Sequence, residues 1–502
     1  MLSKSTTTGK DHRGRLAMLL SLFAVALWLV QAGPAGDFVG LKSDSAIYLL
    51  MADHYSQHVP ASALTDFVQQ VSQFPPLYPL LLALAGADSS RLAIVQLLHS
   101  LSLLVMLGLA ARLAWRLSGS VLAALATLWC VATLPLTLLL HSGVWSEFTY
   151  MAFATGALLL APTRDAPLSR HWACALLCAL ATATRSAGVT LTAAFAVTLL
   201  ARAPRRAWPA LLLTALPLGV QSLLYRGSGS AYLSLLTERT RSASGLVATL
   251  NGNVAALWHG WQLQFTLTPG TAAAIPATLL LGLAALGLWQ RWRVLAMDAI
   301  YVSCYALLLL VWPFPEVMDR LLYPLTPLLL IYAVLGTAFL GRRLATTAGW
   351  PSLLPAALCL ATALPTTLAM TQQLLHAPPS FMPWRASREW LQAPDIASAR
   401  ADVNFKRTLI TLMRQSAKLV PADQCIYAVQ PGPAMYYTRR VSFPAPTGTS
   451  RPAESRCRYQ LLLGDASLEA ARQELWQPNE IALMVSDGGQ PAGQLVHYPA
   501  VR

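Results

Sequence analysis

The sequence predicts a mainly α-helical, polytopic membrane protein that ends in a small α/β domain. The chain has 502 residues, of which 55% are hydrophobic and only 12% charged, and its mean hydropathy is +0.49. A soluble domain carries about 25% charged residues. Apolar runs of membrane length fill the chain up to residue 370, and charged and polar residues become frequent after it. We therefore predict a membrane module at 1–370 and a soluble module at 371–502.

About eleven apolar segments predict transmembrane helices. They lie at 16–30, 91–111, 121–140, 148–161, 172–183, 189–200, 209–224, 272–289, 296–312, 321–340 and 351–370. Residues 34–90 form the predicted first extracytoplasmic loop. Its apolar stretch at 74–84 is too short to cross, which predicts a surface or re-entrant helix.

Basic residues concentrate in every second short loop between these segments. They are Arg112, Arg116, Arg164, Arg170, Arg202, Arg205, Arg206, Arg291, Arg293, Arg342 and Arg343. Cytoplasmic loops of membrane proteins carry such an excess. The pattern predicts a cytoplasmic N-terminus, an outer loop at 226–270 and an outer C-terminal domain. The net charge of +14 is thus spread among membrane loops, and no basic, aromatic-interleaved face indicates a nucleic-acid partner.

The C-terminal module contains strand-like runs at 425–429, 459–463 and 481–485 and an amphipathic helix pattern at 467–476. These predict a small α/β domain. Cys425 and Cys457 are its two cysteines, and an oxidising compartment favours a disulfide between them.

Acidic residues are scarce, yet four lie within 36–84 of the first loop: Asp37, Asp44, Asp53 and Asp66. Asp44 precedes a helix pattern at 45–55, where an aspartate serves either as an N-cap or as a chemical group. Asp37 stands beside a glycine, which is typical of a turn but compatible with chemistry too.

Three further charged residues lie where an apolar environment makes charge costly. Glu147 is the one acid between the third and fourth predicted spans, where it caps the next helix or has a functional role. Arg185 and Arg320 depart from the arrangement of the other arginines. Either they extend their side chains to the membrane surface, or they bind an anion through the planar guanidinium fork.

The order of the motifs is more specific than any one of them. Asp44 is followed at helical spacing by Tyr48, a Phe-Pro-Pro-Leu-Tyr stretch ends at Tyr78, and Asp-Arg-Leu-Leu-Tyr-Pro contains Tyr323. Ser-Glu and Thr-Arg-Ser-Ala-Gly motifs lie between. Over about 16–345 this order resembles the GT-C superfamily of membrane glycosyltransferases. The most similar branch contains protein O-mannosyltransferases and the bacterial aminoarabinose transferase of lipid A.

The resemblance implies roles for these residues. An Asp of the first loop is catalytic in that family, and Asp44 matches it by position, with Asp37 second. Glu147 matches a second acidic position, and Arg185 and Arg320 match basic positions near the donor phosphate. We expect the three motif tyrosines to contact substrate. Relatives often have Asp-Glu where this chain has Asp-Ser at 44–45.

The resemblance also implies a function at the bacterial inner membrane. A polyprenyl-phosphate donor would give its sugar, with inversion, to a hydroxyl of a glycan, lipid or protein. Metal use stays open, because some relatives use a divalent metal and others none. Two alternatives remain. A transporter or flippase of lipid-linked sugars would show repeats and charges at mid-membrane. An envelope-assembly scaffold would tolerate loss of Asp44.

Overall fold

The computed structural model describes most of the chain. The described residues are 7–32, 39–58, 62–71, 74–224, 237, 241–267, 270–343, 353–376, 396–445, 456–464, 480–487 and 489–498. Asp37 and the predicted helix at 467–476 lie outside them.

Helices make up nearly all of the described part up to residue 376. The first group is α1 (Thr7–Ala32), α2 (Ser43–Tyr55), α3 (Ala63–Val71), α4 (Leu77–Leu84), α5 (Leu92–Ser118), α6 (Val121–Ala132), α7 (Pro135–His141), α8 (Glu147–Leu159) and α9 (Leu168–Thr184). The second group is α10 (Val189–Arg202), α11 (Ala210–Leu224), α12 (Ala243–Leu263), α13 (Thr271–Arg293), α14 (Met297–Leu310), α15 (Met318–Leu322), α16 (Thr326–Arg343) and α17 (Leu354–His376).

The predicted fold class is confirmed, and each of the eleven predicted segments contains helix. The number that can cross a membrane unaided is smaller. In the described part, five helices are long and apolar enough: His12–Val30, Leu92–Ser118, Thr271–Arg293, Pro315–Arg343 and Leu354–Gln372. Helices α6 and α7 would make a sixth span if counted together, although the chain bends by 59° between them.

The other predicted spans correspond to shorter helices. The helix α14, for example, has 14 residues, which gives a length of about 21 Å at 1.5 Å per residue. The hydrocarbon core of a bilayer is about 30 Å thick. Hydropathy alone therefore overstated how many segments cross unaided, because an apolar helix inside a bundle needs no membrane-spanning length.

The region 226–270, predicted as a loop, contains the 21-residue helix α12. Polar residues interrupt its apolar pattern, so hydropathy did not reveal it. One of them, Asn253, is buried and donates from Nδ2 to the carbonyl oxygens of Leu310 at 2.9 Å and Trp312 at 2.8 Å. These bonds satisfy carbonyls at the end of α14, where a helix has no partners of its own.

The C-terminal domain combines helices α18 (Ile396–Leu419) and α19 (Pro431–Thr438) with a five-stranded mixed sheet. The strands are β1 (Ile426–Ala428), β2 (Ser442–Pro444), β3 (Tyr459–Leu463), β4 (Glu480–Asp487) and β5 (Gln490–His497). Their order is β2-β1-β3-β5-β4, with β1 parallel to both neighbours and β5 antiparallel to both of its own. A disulfide joins Cys425 to Cys457.

Two large hydrophobic clusters organise the described part. One lies among the helices of the bundle. The other is shared between the first-loop helices and the C-terminal domain: Tyr48 and Leu49 of α2 belong to the same cluster as Met435 of α19 and Leu461 of β3. The helix that follows the first span is thus packed against the far end of the chain.

Candidate active site

Asp44 lies in the first turn of α2, at the start of the described first-loop helices. Lys42 is the N-cap residue and makes no capping bond through its side chain. The Asp44 carboxylate instead meets Arg320, with 2.6 Å between Oδ2 and Nη1. The structure therefore favours a partner across the fold over simple capping for this aspartate.

Glu147, the first residue of α8, connects the two arginines. Its Oε1 lies 2.7 Å from Nη1 of Arg185 and 3.4 Å from Nε of Arg320. Together with Asp44 these residues form an alternating chain of two acids and two bases, which we call the charge chain. Side-chain exposure separates the acids: 24% for Asp44 and 0% for Glu147. Asp44 can meet a substrate, whereas Glu147 holds the arginines from behind.

Tight backbone geometry presents Arg185. It separates α9 from the short 3₁₀ turn Ser186–Gly188. A Cβ at Gly188 would lie 2.6 Å from backbone atoms of Thr182. Only glycine fits so close an approach, and the turn directs the chain so that Arg185 reaches Glu147.

Packing of α12 against α15 supports Arg320. A Cβ at Gly260 would lie 3.0 Å from the backbone nitrogen of Asp319, so the two helices touch at this point. The guanidinium of Arg320 lies over the ring of Trp145, 4.5 Å from its centroid. Cation–π attraction of this kind helps to hold a charged group in place.

Two of the three predicted tyrosines adjoin the charge chain. The hydroxyl of Tyr48 lies 2.8 Å from Oγ of Ser146, which also accepts from Arg185 Nη1 at 3.2 Å. Tyr78 packs edge-on against Tyr48, with 5.0 Å between centroids. Burial raises the pKa of Tyr48 well above its usual range, so this phenol stays protonated.

Tyr323, the third predicted tyrosine, lies apart from the charge chain. Its side chain is fully buried in the helical core, where its hydroxyl pairs with Oγ1 of Thr137 at 2.7 Å. It does not line the cavity described next. Pro324 follows it, and the 3₁₀ turn Tyr323–Leu325 interrupts the helix, so spacing from Arg320 did not predict its direction.

A cavity of about 260 Å³ opens beside the charge chain. Its polar lining consists of Asp44, Tyr48, Arg185, Ser186, Tyr305, Glu316 and Arg320. Its apolar lining consists of Phe74, Pro75, Ala187, Leu308, Leu309, Trp312, Phe314, Val317 and Leu321. One cavity thus offers two guanidinium groups, the carboxylates of Asp44 and Glu316, and a set of apolar side chains.

Several buried polar atoms around the charge chain have no hydrogen-bond partner. They are Nε of Arg185 and Arg320, both carboxylate oxygens of Glu147, the Tyr78 hydroxyl and Nε1 of Trp145. The ion pair between Glu147 and Arg185 is close, but its angles do not make a hydrogen bond. Unsatisfied buried groups cost about 1–3 kcal/mol each. Three of these atoms are N–H donors, Nε of Arg185, Nε of Arg320 and Nε1 of Trp145, and both arginines line the cavity.

Both acids of the charge chain are already paired with arginine. Divalent metal ions take several oxygen ligands, and the described residues hold no group of three His, Cys, Asp or Glu side chains. The two acids of the charge chain are separated by Arg320, whose guanidinium contacts both of them. A cation would have to displace this arginine.

Sequence reasoning missed three members of the site. Trp145 and Ser146 directly precede Glu147 in the sequence, and this position beside a buried acid is the signal that could have identified them. Tyr305 lines the cavity and donates its hydroxyl to the carbonyl of Leu321 at 3.1 Å. It lies inside an apolar helix, so the sequence carried no signal for it.

Comparison with known proteins gives similarity of structure but not of sequence. Neither a protein-family model nor a curated protein matches this chain. ArnT from Cupriavidus metallidurans in the apo state has 12% identity over 98% of this chain and 98% of its own, with a TM-score of 0.46. An oligosaccharyltransferase from Archaeoglobus fulgidus has 14% identity over 88% of this chain and 68% of its own, with a TM-score of 0.48.

A third similar structure is the mycobacterial arabinofuranosyltransferase AftD. It has 13% identity over 97% of this chain and 40% of its own, with a TM-score of 0.46. The names of the second and third structures are those of sugar transferases, the class of protein that the motif order predicts. At such low identities and TM-scores these are likenesses only, and the functional conclusion below depends on the charge chain and the cavity.

Proposed function

We propose that this protein is a GT-C-type glycosyltransferase. It moves a sugar from a polyprenyl-phosphate donor to an acceptor hydroxyl at the outer face of the bacterial cytoplasmic membrane. The observation that carries the proposal is the composition of one cavity, in which Asp44 stands beside Arg185 and Arg320 and opposite an apolar wall. A lipid-linked phosphate needs both a cationic and an apolar contact.

The two arginines suit the phosphate of the donor. A guanidinium presents planar, paired donors that match phosphate oxygens. Arg320 reaches Asp44, and both arginines reach Glu147. The charges of the four side chains cancel, so an entering phosphate competes with the carboxylates for the arginines. As Arg320 turns toward the phosphate, Asp44 loses its cation and becomes free to accept a proton.

The transfer itself needs one base and one stabilised leaving group. The acceptor oxygen forms a bond to the sugar C1 and gives its proton to the carboxylate of Asp44. The bond from C1 to the phosphate oxygen breaks, and its electron pair stays on the phosphate. Arg185 and Arg320 stabilise that charge. Attack opposite to the leaving phosphate gives inversion at C1.

The decisive experiment replaces Asp44 in a strain that lacks the protein. Envelope glycans of the parent, the deletion and the complemented strains are compared by mass spectrometry. We expect a sugar-mass difference that wild-type protein restores and Asp44→Asn does not, because loss of a general base costs about 10²- to 10⁴-fold in rate. Asparagine keeps the size of the side chain, and equal membrane levels of both proteins control for folding.

Three further variants and one control sharpen the result. We expect Asp37→Asn to be milder; if it abolishes transfer while Asp44→Asn does not, the catalytic acid is Asp37. Undecaprenyl phosphate serves as the probe of the lipid site, and Arg185→Lys and Arg320→Lys should each weaken its binding to purified protein. Arg293→Lys is the matched control, since this arginine lies against Trp289 and not at the cavity. Normal transfer by both aspartate variants excludes the catalytic role of the first loop.

A further inference from the structure

The C-terminal domain touches the segment that carries Asp44. At the start of α19, Gly432 lies so close to α2 that an added Cβ would be 2.9 Å from Oγ of Ser43. The hydroxyl of Tyr437, also on α19, donates to the carbonyl of Gly40 at 3.0 Å. Both contacts are made to residues that shortly precede Asp44 in the sequence. One short helix of the C-terminal domain therefore covers the beginning of α2.

The same helix fixes the other end of α2. Asp53 is fully buried, and its Oδ2 lies 2.8 Å from Nη1 of Arg439, the residue that follows α19. Nη2 of Arg439 donates to Oγ of Ser89 at 2.8 Å. Ser89 completes the triangle by donating to both carboxylate oxygens of Asp53. The guanidinium of Arg439 thus connects the C-terminal domain to α2 and to the loop before α5.

The backbone at this junction is unusual. Arg439 has φ of 52°, one of two positive values among the described non-glycine residues. A left-handed conformation costs an L-residue about 1–2 kcal/mol. The side chain also lies over the ring of Tyr436, 5.4 Å from its centroid. Strain of this kind persists only where surrounding contacts hold it, and it is concentrated at functional positions.

We propose that Arg439 is a positioning residue that sets the place of Asp44 through α2. The inference rests on the proposed function. Helix α2 has 13 residues and behaves as a rod about 20 Å long. With Asp53 anchored at one end, Asp44 at the other end is held at the cavity. A displacement of about 1 Å at a reacting group can cost 10²-fold in rate.

The test uses the full chain with three variants. Arg439→Gln removes the contacts with both Asp53 and Ser89. Arg439→Lys keeps a positive charge beside Asp53, but the lysine cannot reach Ser89 at the same time. Arg440→Gln is the neighbouring control: the Arg440 side chain donates to the carbonyl oxygens of Val420, Ala417 and Arg439, all within the C-terminal domain, and not to α2. Three readouts are taken: glycan modification rate in the complemented deletion strain, the Kd for undecaprenyl phosphate, and hydrogen exchange of residues 43–55.

For Arg439→Gln we expect a rate about 10- to 100-fold lower, an unchanged Kd and faster exchange in α2. Arg439→Lys should recover part of the rate, and Arg440→Gln should leave exchange in α2 as in the wild type. An unchanged rate in Arg439→Gln, or equal effects of both glutamine variants, overturns the positioning role while the proposed function stands. If the wild type itself modifies no glycan, the proposed function fails and the positioning role fails with it. Hydrogen exchange in α2 then still shows whether the contact between Arg439 and Asp53 stabilises the helix.

Discussion

Replacing Glu147 with glutamine separates the stability of the charge chain from its affinity for phosphate. Glu147 is fully buried and has two guanidinium groups within 3.4 Å. Removing one partner of a buried ion pair typically costs about 3–5 kcal/mol. The cost should lie near its lower end, because Arg320 keeps Asp44 and Arg185 keeps Ser146. The substitution also leaves the site with an excess positive charge.

We therefore expect opposite changes in two measurements. Thermal unfolding in detergent should occur at a lower temperature in Glu147→Gln than in wild type. Binding of undecaprenyl phosphate should become tighter, because a competitor for the arginines has been removed. If the competing attraction is worth about 1 kcal/mol, the affinity rises about fivefold. Transfer should nevertheless fall, since the arginines are held less firmly.

Asp298→Asn is the matched control for this prediction. Asp298 is a second buried acid, which accepts two bonds from Arg291, at 2.7 and 3.0 Å, and one from Tyr332 at 2.9 Å. Its loss should destabilise the protein without changing lipid affinity. The competition model is refuted if Glu147→Gln weakens lipid binding as much as Arg320→Lys does while Asp298→Asn has no effect.

Two further predictions concern the C-terminal domain and the orientation of the chain. Thiol mapping of non-reduced protein should find Cys425 and Cys457 protected, and replacing both with serine should cost about 4 kcal/mol of stability by the chain-entropy estimate; two free thiols contradict this. A phosphatase fused after Arg502 should be active and a cytosolic fluorescent reporter at the same position dark, and the opposite pair of results would reverse the predicted topology.

The sequence was informative about which side chains matter and less so about how they meet. Asp44 stood out as one of several acids in the first loop and Arg320 as a departure from the pattern of basic loops, and the structure brings them together. Their contact links residues 276 positions apart, and no local pattern encodes such a pairing. The sequence therefore could not predict that Arg320 contacts both acids, or that its guanidinium lies over the ring of Trp145.

The differences in fold have similar physical causes. Helix α12 escaped prediction because polar residues interrupt its apolar pattern, although one of them, Asn253, is buried and makes internal hydrogen bonds. The predicted number of spans exceeded the number of helices able to cross unaided, because burial in a bundle and burial in lipid select the same apolar residues. The 3₁₀ turn Tyr323–Leu325, which contains Pro324, interrupts the helix, and spacing along the sequence did not indicate where the Tyr323 side chain lies.

The cluster shared by α2 and α19 imposes an order on biosynthesis. At about 5–20 residues per second, a ribosome needs on the order of 20–80 s to proceed from the end of α2 to the start of α19. Through that interval Leu49 and Leu50, which are fully buried in the finished protein, have no C-terminal partner to cover them. The contacts between α2 and α19 thus form only after the C-terminal domain has been synthesised.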